Sequence, residues 1–247
     1  HDGFAPGEDL YATLFLDNKA FFVTYERVDP LHAFHISDEG VAEQRAEYVI
    51  SGWNDFFRPV YDDTRMIGIG MNDEAGRTMA VSLYDITDLD NPDPFVARAE
   101  VDADHSWSEA SWDDRAFSVL ENAVDVAGPG GVLETGLVLL PFSGYDDARE
   151  TYVAAVQIFT FSESSLTRRG VMEHGTWVRR SFQPDHDLTA NLSEAALSLF
   201  DNTDPDQPTE LGRVDLAPNY TDFLVFGEYG ARLKYDRDYY YWWWGSS

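Results

Sequence analysis

The sequence predicts an all-β fold assembled from four-stranded antiparallel sheets, and two observations carry that prediction. The layout of one stretch, Asp17 to Asp38, recurs along the chain: a charged tight turn, an apolar strand, a polar corner, and a second strand closing on an acid. The strands that open each unit start at Lys19, Arg65, Arg115 and Asp187, at intervals of about 46, 50 and 72 residues, close to the period of roughly 40 to 50 residues typical of propeller blades. A β-sandwich, the competing all-β solution, predicts no such repeat in strand order. The fold class is therefore a β-propeller with about four blades visible, as part of a larger ring.

In chain order, residues 1–9 read as a Gly/Pro/acid-rich arm. The first unit, 10–51, contains LYATLFL, the strand Ala20 to Thr24 behind the turn Asp17-Asn18-Lys19, the strand Leu31 to Ser37, and AEQRAEYVI. The second, 52–103, runs through FRPVYD and the turn Asp62-Asp63 into RMIGIGM, then MAVSLYDI and FVARAEV. Gly68 and Gly70 alternate with Ile67 and Ile69 there, and glycines inside a strand mark a close backbone approach. The third, 104–174, has a strand ending at Trp112, the turn Asp113-Asp114, and Arg115 to Leu120. An insertion around Gly128-Pro129-Gly130-Gly131 precedes GLVLLPF, TYVAAVQIFTF and LTRRGVME. The fourth, 175–218, holds WVRRSFQ, DLTANLSE, AALSLFD and TELGRVDLA, and residues 219–247 form a hairpin and an aromatic tail.

Composition narrows the function classes. The 247 residues suit one large domain or two small ones, and 44% hydrophobic content supports a substantial core. Forty-five acids against 17 bases give a net charge of -28, which opposes binding to nucleic acid and to anionic membranes. Lys19 and Lys234 are the only lysines, and an acid-rich, Lys-poor surface of this kind suits a saline habitat or an acidic secreted protein. There is no cysteine, so disulfides and thiol chemistry are excluded. No apolar run approaches the roughly 20 residues that span a bilayer, and the start at His1 without Met is expected of a processed or truncated piece.

The segments VTYERVDPLHAFHISD, YVISGWNDFFRPVYDDTRMIGIGM, SLYDITDLDNPDPF and SWSEASWDDRAF, in that order, resemble the secreted C-terminal β-propeller proteins of archaea and bacteria, a family distantly related to tryptophan-aspartate repeats. The strongest matches are the corner Val28-Asp29-Pro30, the strand Ile67 to Gly70, and the stretch Ser106 to Phe117. The resemblance covers roughly Leu10 to Pro218 and implies the propeller fold and a location outside the cytoplasmic membrane. It brings no established catalytic residues. Because the chain is shorter than a typical member, the resemblance also implies missing N-terminal blades. An open ring leaves unpaired strand edges. The expected partners are accordingly upstream blades of the same precursor or another polypeptide.

Candidate chemistry is sparse. The paired acids Asp62-Asp63, Asp113-Asp114 and Asp146-Asp147 read as turn residues, which satisfy backbone groups. The loops at Asp88, Asp90, Asp93 and at Asp201, Asp204, Asp206 are candidate Ca²⁺ sites, without the EF-hand Gly and terminal Glu. His32 and His35 share a strand at a spacing that places them on opposite faces; His105, His174 and His186 read as loop residues, and His1 as a copper chelator at most. Glu109 and Asp104 are the acids nearest an inner strand, as a hydrolase would need. There is no G-x-S-x-G, H-E-x-x-H or P-loop. Asn191 and Asn219 head glycosylation sequons.

Tyr239, Tyr240, Tyr241, Trp242, Trp243 and Trp244 form an aromatic run suited to a partner, a membrane interface or a carbohydrate. Two functions follow from the residues: an extracellular or cell-surface scaffold making assembly contacts without catalysis, or a secreted glycosidase- or lactonase-like hydrolase with an acidic axial site, with or without Ca²⁺.

Overall fold

The structure, a computed structural model, describes residues 9–25, 29–50, 52–74, 76–216, 222–227 and 229–233. Strands β1 (Asp9–Leu16), β2 (Lys19–Tyr25), β3 (Asp29–Ile36) and β4 (Ala42–Ile50) form the first antiparallel sheet in chain order. Strands β5 (Trp53–Val60), β6 (Arg65–Asn72), β7 (Thr78–Asp85) and β8 (Phe95–Glu100) form the second in the same way. The tight turns that launch β2 and β6 use left-handed backbone: Asp17 has φ 41°, and Tyr61, Asp62 and Asp63 have φ 54°, 51° and 59°. Asp is among the residues that tolerate that region, so the charged turns form where the sequence places them.

The third sheet departs from the expected layout. Strand β9 (His105–Trp107) stops short of Trp112, and one 3-10 turn, Glu109–Ser111, follows it. The Ser108 hydroxyl caps that turn by accepting the Ala110 N–H at 3.0 Å, which ends the strand. Both β9 and β10 (Ser118–Leu120) pair with β13 (Gly136–Asp146), so the two together occupy the first-strand position. The sheet is completed by β14 (Thr151–Phe161) and β15 (Leu166–Glu173), and the insertion folds as a small hairpin, β11 (Val126–Ala127) and β12 (Leu133–Glu134). Arg115 to Leu120 is therefore not the counterpart of β2 and β6; β13 is. With β16 (Val178–Asp185), β17 (Leu188–Ser193), β18 (Ala196–Asp201) and β19 (Thr209–Asp215) as the fourth sheet, second strands start at Lys19, Arg65, Gly136 and Leu188. The long interval lies between the second and third units, because the insertion separates first and second strands of the third sheet. A last hairpin, β20 (Asp222–Phe226) with β21 (Tyr229–Leu233), follows.

Successive sheets pack face to face. Phe21, Val23, Leu31 and Ala33 of the first sheet bury against Phe57, Met66 and Tyr84 of the second. Ile67, Ile69, Val81 and Leu83 meet Val138, Leu140, Phe142, Phe159 and Phe161 of the third. Leu137, Leu139, Val156 and Ile158 meet Val178 and Phe200 of the fourth. Each such side chain contributes about 1.5–3 kcal/mol on burial, so the stack is held by its inter-sheet cores. The alternation in RMIGIGM now has its cause: Ile67 and Ile69 fill one core while the glycines admit β5. A Cβ on Gly70 would lie 1.9 Å from the Trp53 carbonyl oxygen, and one on Gly68 2.3 Å from the Asn54 side-chain oxygen.

The insertion is clamped by charge. Fully buried Glu134 accepts hydrogen bonds from Ser165 and Thr167 at 2.7 Å, from Thr160, and from Arg169 at 2.9 Å. Arg169 also donates to the Ala127 carbonyl at 2.8 Å and pairs with Asp206 at 3.2 Å, tying the hairpin to the third and fourth sheets. Every lone-pair direction of this buried carboxylate is used, which is the condition for a buried ion pair to be tolerated.

The fourth sheet adds a row of buried polar side chains to Val178 and Phe200 on its inner side and carries apolar ones on its outer side. Its side toward the third sheet buries Ser181, Thr189, Asn191, Ser193 and Ser198. Cross-strand pairing places Phe182, Ala190 and Leu199 in one row and Leu192, Leu197 and Val214 in another, both turned away from the third sheet. Phe182 is 44% exposed, Leu197 36% and Val214 61%. Among the described residues no helix is long and apolar enough to cross a membrane.

Candidate functional site

In each four-stranded sheet the second-to-third connection lies at the end where the first strand begins; this is the upper end. The first strands β5 and β16 and the Glu109–Ser111 turn come together there. Strand β5 carries a β-bulge between Asn54 and Phe56, made possible by the glycines opposite, and the bulged residue is Asp55. Asn54 anchors the bulge by donating to the Tyr84 hydroxyl at 3.0 Å. Asp55 Oδ1 accepts the Trp53 indole N–H at 3.1 Å, and Oδ2 is buried with no protein partner. Burial pushes the carboxyl up to about 6, against the opposing pull of the nearby Ser111 hydroxyl and of the Trp53 indole N–H.

Two residues before Ser111, Glu109 is buried and accepts from Arg179 of β16 at 2.5 Å. Its Oε2 is also buried without a protein partner. Arg179 donates its other arm to Glu194 at 2.7 Å and lies 5.5 Å from the Trp177 ring centre. Trp177 meets Trp112 edge to face at 6.3 Å, bridging the third and fourth sheets. The arrangement therefore combines a proton-holding acid, an Arg–carboxylate pair and exposed indoles. Two hollows, of about 300 and 510 Å³, lie on the outer rim by β8 and β15, where Arg149 and Arg168 are paired with Glu173 and Asp102.

Of the acids singled out in the sequence, Glu109 belongs to this site and Asp104 does not. Asp104 is exposed and accepts the Asp147 N–H at 2.9 Å. The loop acids serve turns and arginines: Asp88 accepts the Asp90 N–H, Asp201 that of Thr203, and Asp204 that of Asp206. Asp90 pairs with Arg45, while the Asp93 N–H is held by Asn91. No group of three or more His, Asp or Glu that could hold a metal occurs among the described residues. His32 contacts Thr24 and Gln44 at 3.1 Å, His186 pairs with Asp187, and His105 is exposed.

His174 lies in the connection after β15, as the sequence suggests, but it is not a free surface residue. It is buried between the third and fourth sheets, 2.7 Å from Ser198 Oγ and 3.0 Å from Ser193 Oγ, and burial with Arg213 nearby pushes its pKa down. Asn191 is likewise buried and accepts from Ser181, so its side chain is closed to glycosylation in the folded chain. His1, Val28, Asn219 and the run Tyr239 to Trp244 lie outside the described residues. Sequence reasoning missed Asp55, Arg179, Trp112 and Trp177. The available signal was the polar residue between Asn54 and Phe56 opposite the two strand glycines.

The model of the beta propeller domain family matches residues 1–191. The chain belongs to the beta propeller domain family. The chain is also similar to an uncharacterized protein of Methanocaldococcus jannaschii, 33% identical over 90 residues, or 36% of this chain and 14% of that protein. Among solved structures, a protein from Lactobacillus plantarum is 12% identical with a TM-score of 0.48, covering 90% of this propeller chain and 61% of that one. A periplasmic gluconolactonase of Pseudomonas aeruginosa is 10% identical with a TM-score of 0.35, covering 87% and 74%. The chain thus spans less than two thirds of the length of the first two of these.

Proposed function

We propose that this propeller chain is a non-enzymatic scaffold of the extracellular space or cell surface, making assembly contacts through the outward face of its fourth sheet. The observation that carries the reading is the set of apolar side chains left exposed on that face. Its solvent side bears Phe182, Leu197 and Val214, while its buried side places Ser, Thr and Asn beside Val178 and Phe200. The occupant is another blade-type sheet, because each earlier pair of sheets in the stack is joined by an apolar core of the same kind. The charge of -28 opposes association at low salt, and burial of the apolar face is what offsets it.

In the purified chain the covering sheet comes from a second copy. Light scattering in salt high enough to screen the charge is expected to give a mass above the monomer's. Phe182→Asp with Leu197→Asp is expected to return it to the monomer while keeping the unfolding transition. A wild-type chain that stays monomeric at every concentration overturns the reading.

A second reading, a secreted hydrolase, is supported by one observation: Asp55 holds a proton to about pH 6 on a bulge beside the turn that carries Glu109. It requires ester, lactone or glycoside hydrolysis that disappears in Asp55→Asn. The absence of hydrolysis across those three bond types removes it.

A further inference from the structure

We infer that the upper end of the third and fourth sheets binds a neutral oligosaccharide on a platform formed by Trp112 and Trp177. Both indoles are open to solvent, at 59% and 43% exposure, although each could bury a large apolar surface. They meet at 6.3 Å with planes 76° apart, forming a notch across the boundary between two sheets. A second aromatic group lies at the upper end of the third sheet, where exposed Trp107 stands 6.4 Å from Tyr152, itself 66% exposed and 5.1 Å from Tyr145. A surface with two aromatic pairs suits a chain of sugar rings better than one.

The polar groups beside the indoles decide the class of ligand. Arg179 is gripped by Glu109 and Glu194 and stacked on Trp177, so its donors are held in place before anything binds. Fixed donors lose little rotamer freedom on binding. A pyranose presents an apolar C–H face to indole and a rim of hydroxyls to Arg and carboxylate. A wholly apolar partner would instead strip water from Arg179 and Glu194 without replacing it, which is costly. An anionic ligand is opposed by the net charge of -28. A neutral glycan meets neither penalty. This site is separate from the outward face of the fourth sheet, so it stands or falls independently of the scaffold reading.

The test is a titration of the intact chain with maltohexaose, cellohexaose and N-acetylchitohexaose, followed by tryptophan fluorescence and calorimetry. At least one is expected to bind, with Trp177→Ala and Trp112→Ala each weakening binding about tenfold or more. Trp177→Phe, which keeps a ring, is expected to retain most of the affinity, and Phe182→Asp all of it. Trp177→Phe keeps the test decisive if an alanine variant is poorly folded. The inference is overturned if none of the three sugars binds, or if the alanine variants bind as the wild type does. It is also overturned if those variants abolish self-association with no sugar bound, since the indoles would then be a protein contact.

Discussion

Gly70→Ala is expected to abolish the native state. The added methyl would sit 1.9 Å from the Trp53 carbonyl oxygen and 2.6 Å from Asn54 Cα. Both are backbone atoms of the neighbouring strand and neither can swing aside. Separating β5 from β6 would pull Asn54 from Tyr84 and open the cores on both sides of the second sheet. The cost exceeds about 4 kcal/mol, a large part of a typical domain's stability. Loss of a cooperative thermal transition is the expected result. Gly212→Ala is the matched control: it is also in a strand, but nothing lies within 4 Å of the added methyl, and its transition is expected to stay within about 0.5 kcal/mol of wild type. Equal effects at the two positions would contradict the close approach of β5 and β6.

Asp55→Asn is expected to stabilise the chain at neutral pH. A carboxyl displaced from 3.8 to about 6 by burial costs the folded state about 3 kcal/mol once it ionises. Because the folded pKa lies above the unfolded one, the folded state holds an extra proton between those values. Stability therefore falls as pH rises from about 4 to 6 and levels off above. The substituted amide would keep an oxygen for the Trp53 N–H and carry no charge, so about 2 kcal/mol should be recovered at pH 7.5, a rise of roughly 5 °C in Tm. The gain should vanish at pH 4. A variant less stable than wild type at pH 7.5, or equally pH-dependent, would show that Asp55 is not held in an apolar setting. If Asp55 serves a reaction, this gain is the stability that function gives up.

Most of the fold is legible in the sequence because it is written in short-range chemistry. Asp turns, strand alternation and the repeat place β4, β14 and β15 to the residue, and the strand glycines announce the close approach seen at Trp53. The third unit aligns wrongly from sequence because Ser108 caps a 3-10 turn inside what reads as a strand, an effect of one hydroxyl on one N–H. The candidate site is legible only at Glu109. Asp55, Arg179, Trp112 and Trp177 come from three sheets, and nothing in the spacing of residues 55, 112 and 179 reveals that a bulge and a turn bring them to one end. The burial of His174 escapes for a related reason: it follows β15 in a loop, and only the packing of Ser193 and Ser198 against it makes it a core residue.

If another sheet covers the outward face of the fourth, a single thiol placed on that face will report it. With no native cysteine, Leu197→Cys supplies that thiol. Its rate of alkylation, measured across protein concentration at high salt, should fall strongly as the chain associates and recover on dilution. A rate that stays constant while light scattering records association would mean that the chain assembles through some other surface.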